Sequence, residues 1–393
     1  MKVGWIGTGV MGASMAGHLI EAGMDLQIHT RTPEKADALL AKGAKWAQTP
    51  AEAAEGADAV VSIVSMPHDV ELVHLGPDGT LKAKNPAPIL IDMTTSDPGL
   101  AQRIHAEALK KDKVTTGPYV KKFENKISKF TKSKYSIVCN SGTAALYLAF
   151  KSINLKKNDV VIMPCITFIS SYSIAKMFGA KVYLADVDPN NGQMTPNDVI
   201  DCCKKYKIKK LKLVVPMYHG GYPVNATNFK KLKKKFNCYI IEDACHAFGS
   251  TYKSNNKTFK IGSCKHADIS TFSFHPLKSI TTGEGGAVTT NSKKIYNKLE
   301  IYRSIGIKRS KEHWKYDIIE PSLNFRLSDI QCALGISQLT KINKFIKKRE
   351  QIAKLYNKFL KNNKIEVIKY DKNLKSAYHL YLLKIKNFNL RKK

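Results

Sequence analysis

The chain is short of acid. Its 393 residues hold 32 Asp+Glu against 64 Lys+Arg, a formal net charge of +32. The shortage is uneven: residues 1–112 hold 14 acidic and 10 basic side chains, a net of −4, so residues 113–393 carry +36. The first 112 residues also lack cysteine and contain one asparagine, Asn85, whereas all 8 cysteines come later. A step of this size marks a domain boundary. Its sharpness reads as two coding histories joined in one frame, a chimera. No Gly/Ser/Pro linker marks the join: Ala106-Glu107-Ala108-Leu109-Lys110-Lys111-Asp112-Lys113 runs straight through. Natural fusions usually join whole domains through exposed linkers.

Other absences narrow the function. No run reaches the roughly 18 apolar residues that a membrane span needs. The apolar opening is broken by Gly4, Gly7 and Gly9 and lacks a small-residue cleavage site, so it does not read as a signal peptide. The cysteines show no paired spacing, and Cys202 and Cys203 are adjacent, which suits reduced thiols in a cytoplasm. Cys238, Cys245, His246, Cys264 and His266 have no C-x-x-C spacing, and no zinc site is expected. The lysines spread over Lys204–Lys205, Lys230–Lys235 and Lys344–Lys348 instead of clustering with stacking aromatics. That argues against nucleic acid as a partner; the plain reading is a solvated lysine surface of biased composition, and the functional alternative is attraction of an anionic substrate such as a nucleotide sugar.

What is present begins with a strand. Lys2–Ile6 is apolar and runs into Gly7-Thr8-Gly9-Val10-Met11-Gly12, followed by a helical pattern over Ser14–Ala22. Strand, G-x-G-x-x-G and helix together bring backbone against a pyrophosphate: Gly7 permits the turn, Gly9 the close approach and Gly12 the packing of helix on strand. The next strand, Leu26–His29, ends in Thr30-Arg31-Thr32. An acidic residue here would bond a ribose 2′-hydroxyl; Arg31, helped by Thr32 and Lys35, suits a 2′-phosphate and hence NADP(H). Strands expected at Ala59–Val64 and Ile89–Ile91, with helices between, imply a parallel doubly wound sheet.

On Gly7–Gly12, Thr30-Arg31-Thr32, Ser65-Met66-Pro67 and Asp92-Met93-Thr94-Thr95-Ser96-Asp97-Pro98, this segment resembles the β-hydroxyacid dehydrogenase family, which includes 3-hydroxyisobutyrate dehydrogenases and glyoxylate/succinic semialdehyde reductases. The resemblance implies that Met66 and Pro67 lie along the cofactor and that Thr94 and Thr95 reach toward a substrate carboxylate. It then stops. No G-x-x-G-x-G-x-x-x-K run follows residue 112, so the family's catalytic lysine is missing and cofactor binding is expected without dehydrogenase turnover.

From Thr115 onward, helical patterns at Thr143–Lys151, Ser170–Phe178 and Thr227–Phe236 interleave with apolar runs at Asp159–Met163, Lys181–Ala185, Leu211–Val215 and Cys238–Ile241. This is a second α/β unit, followed by a long helix from Leu327 to about Leu360. Four features converge. Asn140-Ser141-Gly142-Thr143-Ala144-Ala145 offers backbone N–H groups at a helix start, an anion cradle. Ile240-Ile241-Glu242-Asp243 ends a buried strand in carboxylates, with His246 three residues on. Phe272-Ser273-Phe274-His275-Pro276-Leu277-Lys278 leads into Thr281-Thr282-Gly283-Glu284-Gly285-Gly286, and a single lysine before a glycine-rich loop suits covalent catalysis. Phe168 follows a strand and offers a face to stack on a ring. A lysine, a carboxylate beside a pyridine nitrogen and an anion hole are what pyridoxal 5′-phosphate (PLP) chemistry needs; Lys278, Asp243 and Gly142/Thr143/Ser273 fill those roles.

On these motifs, with Thr115-Thr116-Gly117-Pro118, Asn324-Phe325-Arg326-Leu327-Ser328-Asp329-Ile330-Gln331 and Ala377-Tyr378-His379-Leu380-Tyr381, residues 113–393 resemble the DegT/DnrJ/EryC1/StrS sugar aminotransferases. The run from Phe274 to Asn291 looks most like the UDP-4-amino-4,6-dideoxy-N-acetyl-altrosamine transaminases of pseudaminic acid synthesis. The resemblance implies that Lys278 holds PLP and shuttles a proton, Asp243 keeps the ring nitrogen protonated and His246 sits near the phenolic oxygen. It also implies that Ser273 binds phosphate and that Asn324 reaches the phosphate of a neighbouring subunit, hence a homodimer. Substrates would be a nucleotide-linked 4-keto-6-deoxy sugar and an amino-acid donor, glutamate. Tyr218 and Gly220 depart from the family's Y-G-Q element. The expected fold is α/β: an incomplete Rossmann doubly wound sheet over 1–112, a fold-type I PLP-transferase large domain over 113–360, and the start of a truncated small C-terminal domain over 361–393.

Overall fold

A computed structural model describes residues 1–94, 97–109, 117–309, 316–360, 365–368 and 371–385. The chain divides into two compact units, Met1–Pro118 and Tyr119–Lys393.

In the first unit, strands β1 (Lys2–Ile6), β2 (Asp25–His29), β3 (Lys45–Trp46), β4 (Ala59–Ser62) and β5 (Leu90–Asp92) form one parallel sheet in the order β3-β2-β1-β4-β5. Period-two alternation feeds both faces: Val3, Trp5 and Val61 join one core with Ala16 and Leu39, while Ile6 and Val60 join another with Ala53, Ala54 and Ala57. β3 was not expected. It is two residues long on the sheet edge, too short to leave an alternating signature. Gly7 carries φ +99°, and a Cβ there would stand 2.1 Å from the Ile63 carbonyl oxygen. Glycine alone makes that turn from β1 into the helix Val10–Glu21.

The second unit is built on β6 (Tyr135–Cys139), β7 (Val160–Pro164), β8 (Lys181–Ala185), β9 (Leu213–Val214) and β10 (Tyr239–Asp243). A hairpin, β11 (Thr251–Ser254) and β12 (Lys257–Lys260), precedes β13 (Ile269–Ser273) and β14 (Gly286–Thr290). The seven-stranded sheet runs β6-β14-β13-β10-β9-β7-β8. β14 is antiparallel to both neighbours and the remaining pairs are parallel. Ile137, Val161, Leu213, Ile241, Ile269 and Val288 face one core; Val138, Ile162, Val214, Ile240, Phe272 and Ala287 face the other side. Burial on both faces explains why these strands read as continuous apolar runs. This is the fold-type I α/β arrangement expected from the sequence.

The carboxyl ends of β6, β10 and β13 lie along one edge, since Cys139, Gly286 and Ser273 are in register and Asp243 pairs with Thr271. Open parallel sheets bind ligands at that edge. The helix Gly142–Ser152 starts there, capped by Ser141, whose hydroxyl accepts from the Ala144 amide at 3.0 Å. Such a cap is worth about 1 kcal/mol. Residues 371–385 return to the same edge: Leu374–Lys375 adds to β11, and Leu380 N–H donates to the Gly220 carbonyl at 3.0 Å. Among the described residues no helix is long and apolar enough to cross a membrane.

Candidate active site

A cavity of about 320 Å³ opens at this edge of the second unit. Gly142, Thr143, Phe168, Asp243, His246, Ser273 and Lys278 all line it, although they come from four separate stretches of chain.

Asp243 ends β10 and is buried, with 3% of its surface exposed. Its Oδ2 accepts from the Ser171 hydroxyl at 2.9 Å and its Oδ1 from the Cys245 amide at 3.3 Å. Lys278 follows a tight turn closed by its amide on the His275 carbonyl at 2.9 Å. Burial holds its ammonium below the ordinary lysine range, opposed by Cys245 and Asp243. His246 stands across the cavity. The Gly220 amide donates to its Nδ1 at 3.3 Å, which leaves Nε2 as the protonated nitrogen of the neutral ring. Burial first, then Lys278 and the neighbouring imidazoles, push its pKa down to about 2. Cys245 is pushed the other way, well above the thiol range, by burial and by Asp243. The thiol is inert at neutral pH.

The helix N-terminus at Gly142 carries no acidic residue in its first turn, and a Cβ on Gly142 would stand 2.8 Å from the Ser273 Cβ. Glycine thus lets the helix N-terminus approach the Ser273 hydroxyl closely, and both face the cavity, where an anion would meet them. Thr143 shares a 3.1 Å hydrogen bond with Ser170. Phe168 is 65% exposed at the rim. An anion cradle, a carboxylate and an amine in one cavity fit PLP. Asn324 does not line the cavity. It is exposed, its Oδ1 accepts from the Arg326 amide, and its carbonyl accepts from Asn140 Nδ2 at 3.5 Å.

Sequence reasoning missed Ser171, Cys245, His379 and Arg349. His379 Nε2 lies 3.4 Å from Lys278 Nζ, and its ring packs against His246, tilted by 47°, at 4.2 Å between centroids. The Ala377–Tyr381 motif held this histidine without assigning it work.

The first unit has its own cavity, about 480 Å³. Gly7, Gly9, Met11, Gly12, Arg31 and Thr32 line it; Met66 and Pro67 do not, and Thr95 lies outside the described residues. Thr94 Oγ1 accepts from the Val64 amide at 2.9 Å. A Cβ on Gly9 would meet nothing within 4 Å, and the helix it caps has no acid in its first turn. This cradle fits the pyrophosphate of a nicotinamide dinucleotide. Arg31 is already paired, its Nη1 2.6 Å from the buried Asp69 Oδ1. Asp69 was not foreseen.

The chain belongs to the DegT/DnrJ/EryC1/StrS aminotransferase family, whose model matches residues 100–393. Residues 2–116 match the NAD binding domain of 6-phosphogluconate dehydrogenase, so the two matches overlap over 100–116. Among curated relatives, a UDP-4-amino-4,6-dideoxy-N-acetyl-beta-L-altrosamine transaminase of Campylobacter jejuni is 39% identical over 70% of this chain and 71% of its own length. A GDP-perosamine synthase of Escherichia coli O157:H7 is 34% identical over 67% and 68%. Helicobacter pylori PseC, an aminotransferase involved in the biosynthesis of pseudoaminic acid, superposes with a TM-score of 0.65 at 30% identity, covering 74% of this chain and 76% of that one. Streptococcus pneumoniae Spr1654 in its PLP form gives 0.61 at 27%, over 70% and 72%.

Proposed function

We propose that the second unit transfers an amino group from glutamate to the keto carbon of a nucleotide-linked 4-keto-6-deoxy sugar. The observation that carries this reading is the convergence of Lys278, Asp243 and the Gly142 helix N-terminus in one cavity. The names of the C. jejuni and H. pylori relatives support the sugar class. PLP bound here supplies an electrophilic carbon for the amine and an electron-withdrawing ring. Lys278 carries the proton between donor Cα and cofactor C4′. Asp243, fixed by Ser171, holds a proton on the ring nitrogen. His246 Nε2–H donates to the ring oxygen. The amides of Gly142 and Thr143 with Ser273 Oγ hold phosphate. Asn324, exposed and outside its own cavity, reaches the phosphate of the second copy in a homodimer. Free thiols at the described cysteines suit a cytoplasmic setting.

The test is borohydride trapping of PLP on the purified protein, followed by peptide mapping. A phosphopyridoxyl adduct on Lys278 is expected, with glutamate converting the bound cofactor to its amine form. No adduct in soluble, PLP-supplemented protein would sink the reading. For the first unit we propose NADP(H) binding without hydride-transfer turnover, carried by the Gly7–Gly12 cradle with Arg31 in its wall. Equal NADPH affinity in wild type and Arg31→Asp would remove that assignment. We place the domain boundary at 112/113, where composition changes.

A further inference from the structure

We propose that His379 is a positioning residue for Lys278: its imidazole Nε2 accepts a hydrogen bond from the lysine amine and holds that amine in the cavity, while Arg349 ties their two chain segments together. The inference rests on the reading of Lys278 as the reacting amine.

Lysine carries its amine on a flexible four-carbon stem. An amine that must leave and return to one atom gains from a fixed partner. Among the described residues, His379 is the group hydrogen-bonded to Lys278 Nζ, at 3.4 Å. The two are 101 residues apart in sequence, and contacts from neighbouring elements hold their segments in place. Arg349, on the helix Asp329–Phe359, donates from Nη2 to the Lys278 carbonyl at 3.1 Å and from Nη1 to the Tyr378 carbonyl at 3.3 Å. One planar guanidinium thus grips the backbone of the lysine and of the residue before the histidine. The His379 ring also packs against His246, tilted by 47°, at 4.2 Å between centroids. The segment itself is pinned by the Ala377 amide on Ser250 Oγ at 3.0 Å and by the Leu380 amide on the Gly220 carbonyl at 3.0 Å.

The charges around the pair keep the imidazole neutral, with one ring nitrogen free to accept. His379 is pushed down to about 4 by burial, then by Lys278 and Arg349, with the Leu277 carbonyl acting the other way and His219 adding to the depression. Lys278 faces Cys245 and Asp243 from the β10 end, His246 from the same loop, and His379. A lysine ammonium can only donate, so Nζ donates and Nε2 accepts, and His379 Nδ1, which is buried without another partner, then carries the ring proton.

The experiment uses full-length, cofactor-free protein, so it reads the contact whether or not PLP attaches. Trace acetylation across a pH series, with the Lys278 peptide quantified by mass spectrometry, gives the midpoint of the amine. A hydrogen-bond acceptor favours the ammonium form, so His379→Leu lowers the midpoint, by roughly half to one pH unit. His379→Gln keeps an acceptor and restores at least half of the shift. An unchanged midpoint in His379→Leu, or an equal shift in both variants, overturns the proposal. A second readout needs no change at position 379: in ring-15N-histidine-labelled protein, the His379 Nε2 signal moves in Lys278→Ala. A stationary signal overturns the proposal as well. A lysine adduct without this coupling leaves the aminotransferase reading standing and removes His379; the coupling without an adduct does the reverse.

Discussion

Ser171 donates a hydrogen bond to Asp243 Oδ2 at 2.9 Å, with 1% of the serine and 3% of the aspartate exposed. The pair joins the helix Ser170–Met177 to the end of β10 across 72 residues of sequence. A buried carboxylate that loses a donor bears most of the desolvation penalty itself. Ser171→Ala is therefore expected to destabilise the protein by about 1–2 kcal/mol. It is also expected to weaken PLP retention by roughly five- to fifteenfold. Urea denaturation and PLP titration by tryptophan fluorescence check the two effects. Undiminished PLP affinity would show that Ser171 does not orient Asp243.

His246 gives a pH prediction. Burial holds its pKa near 2 against an ordinary value of 6.5. In the unfolded chain the ring takes a proton as pH falls below about 6.5, while in the folded protein it stays neutral. Its contribution to stability is thus fully present above 6.5 and is lost progressively as pH falls toward the folded value. His246→Asn keeps an acceptor for the Gly220 amide but cannot titrate. The variant is expected to lose less stability between pH 6.5 and pH 4 than wild type, measured by urea midpoints at each pH. Parallel curves would count against a buried neutral ring.

Glu242 sits next to Asp243 but points into the opposite core. It accepts from Tyr218 Oη at 2.7 Å and from Ser270 Oγ, and burial raises its pKa above its ordinary value against the pull of those two bonds. Tyr218→Phe removes one donor from a buried acid, at a cost of about 1–3 kcal/mol. The ionised form needs the donor more than the neutral form does. The loss should therefore be larger at pH 8 than at pH 5, where Glu242 holds its proton more often. Chemical denaturation at the two pH values decides; a pH-independent loss would mean that Glu242 does not change its protonation between them.

How much of this was legible follows from distance along the chain. β1, Gly7–Gly12 and the following helix form a local pattern, because one turn and one helix start decide the geometry, and the positive φ of Gly7 needs glycine. The same holds for Gly142, where a cap and a helix start are adjacent in sequence. β7, β8, β9 and β10 were readable as apolar runs, with ends shifted by up to two residues. The two-residue edge strand Lys45–Trp46 was not, since it has no period to detect. Nor was the meeting of Lys278, Arg349 and His379, because nothing in any of the three segments encodes which loops close over which sheet edge. Arg349 sits within a lysine-rich helical run where it reads as one more surface cation. Asp69 was hidden for a similar reason: three residues after Met66 it reads as a helix cap, and it is one, accepting from the Met66 amide at 3.2 Å, while its other oxygen holds Arg31.

That dual use of Asp69 bears on the choice of dinucleotide. Arg31 is 71% exposed, with its charge partly answered by Asp69 at 2.6 Å. A 2′-phosphate entering the cavity must share the guanidinium with that carboxylate. Asp69→Asn keeps an acceptor for the Met66 amide while removing the competing charge. NADPH affinity is expected to rise by about threefold to tenfold, with NADH affinity little changed. The gain should shrink at high salt, since Arg31 is exposed and its attraction for phosphate is screened. NADPH fluorescence titrations at low and high ionic strength measure both effects. If Asp69→Asn weakens NADPH as Arg31→Asp does, the carboxylate is the support that aims the guanidinium, and its charge is not the limit on 2′-phosphate binding.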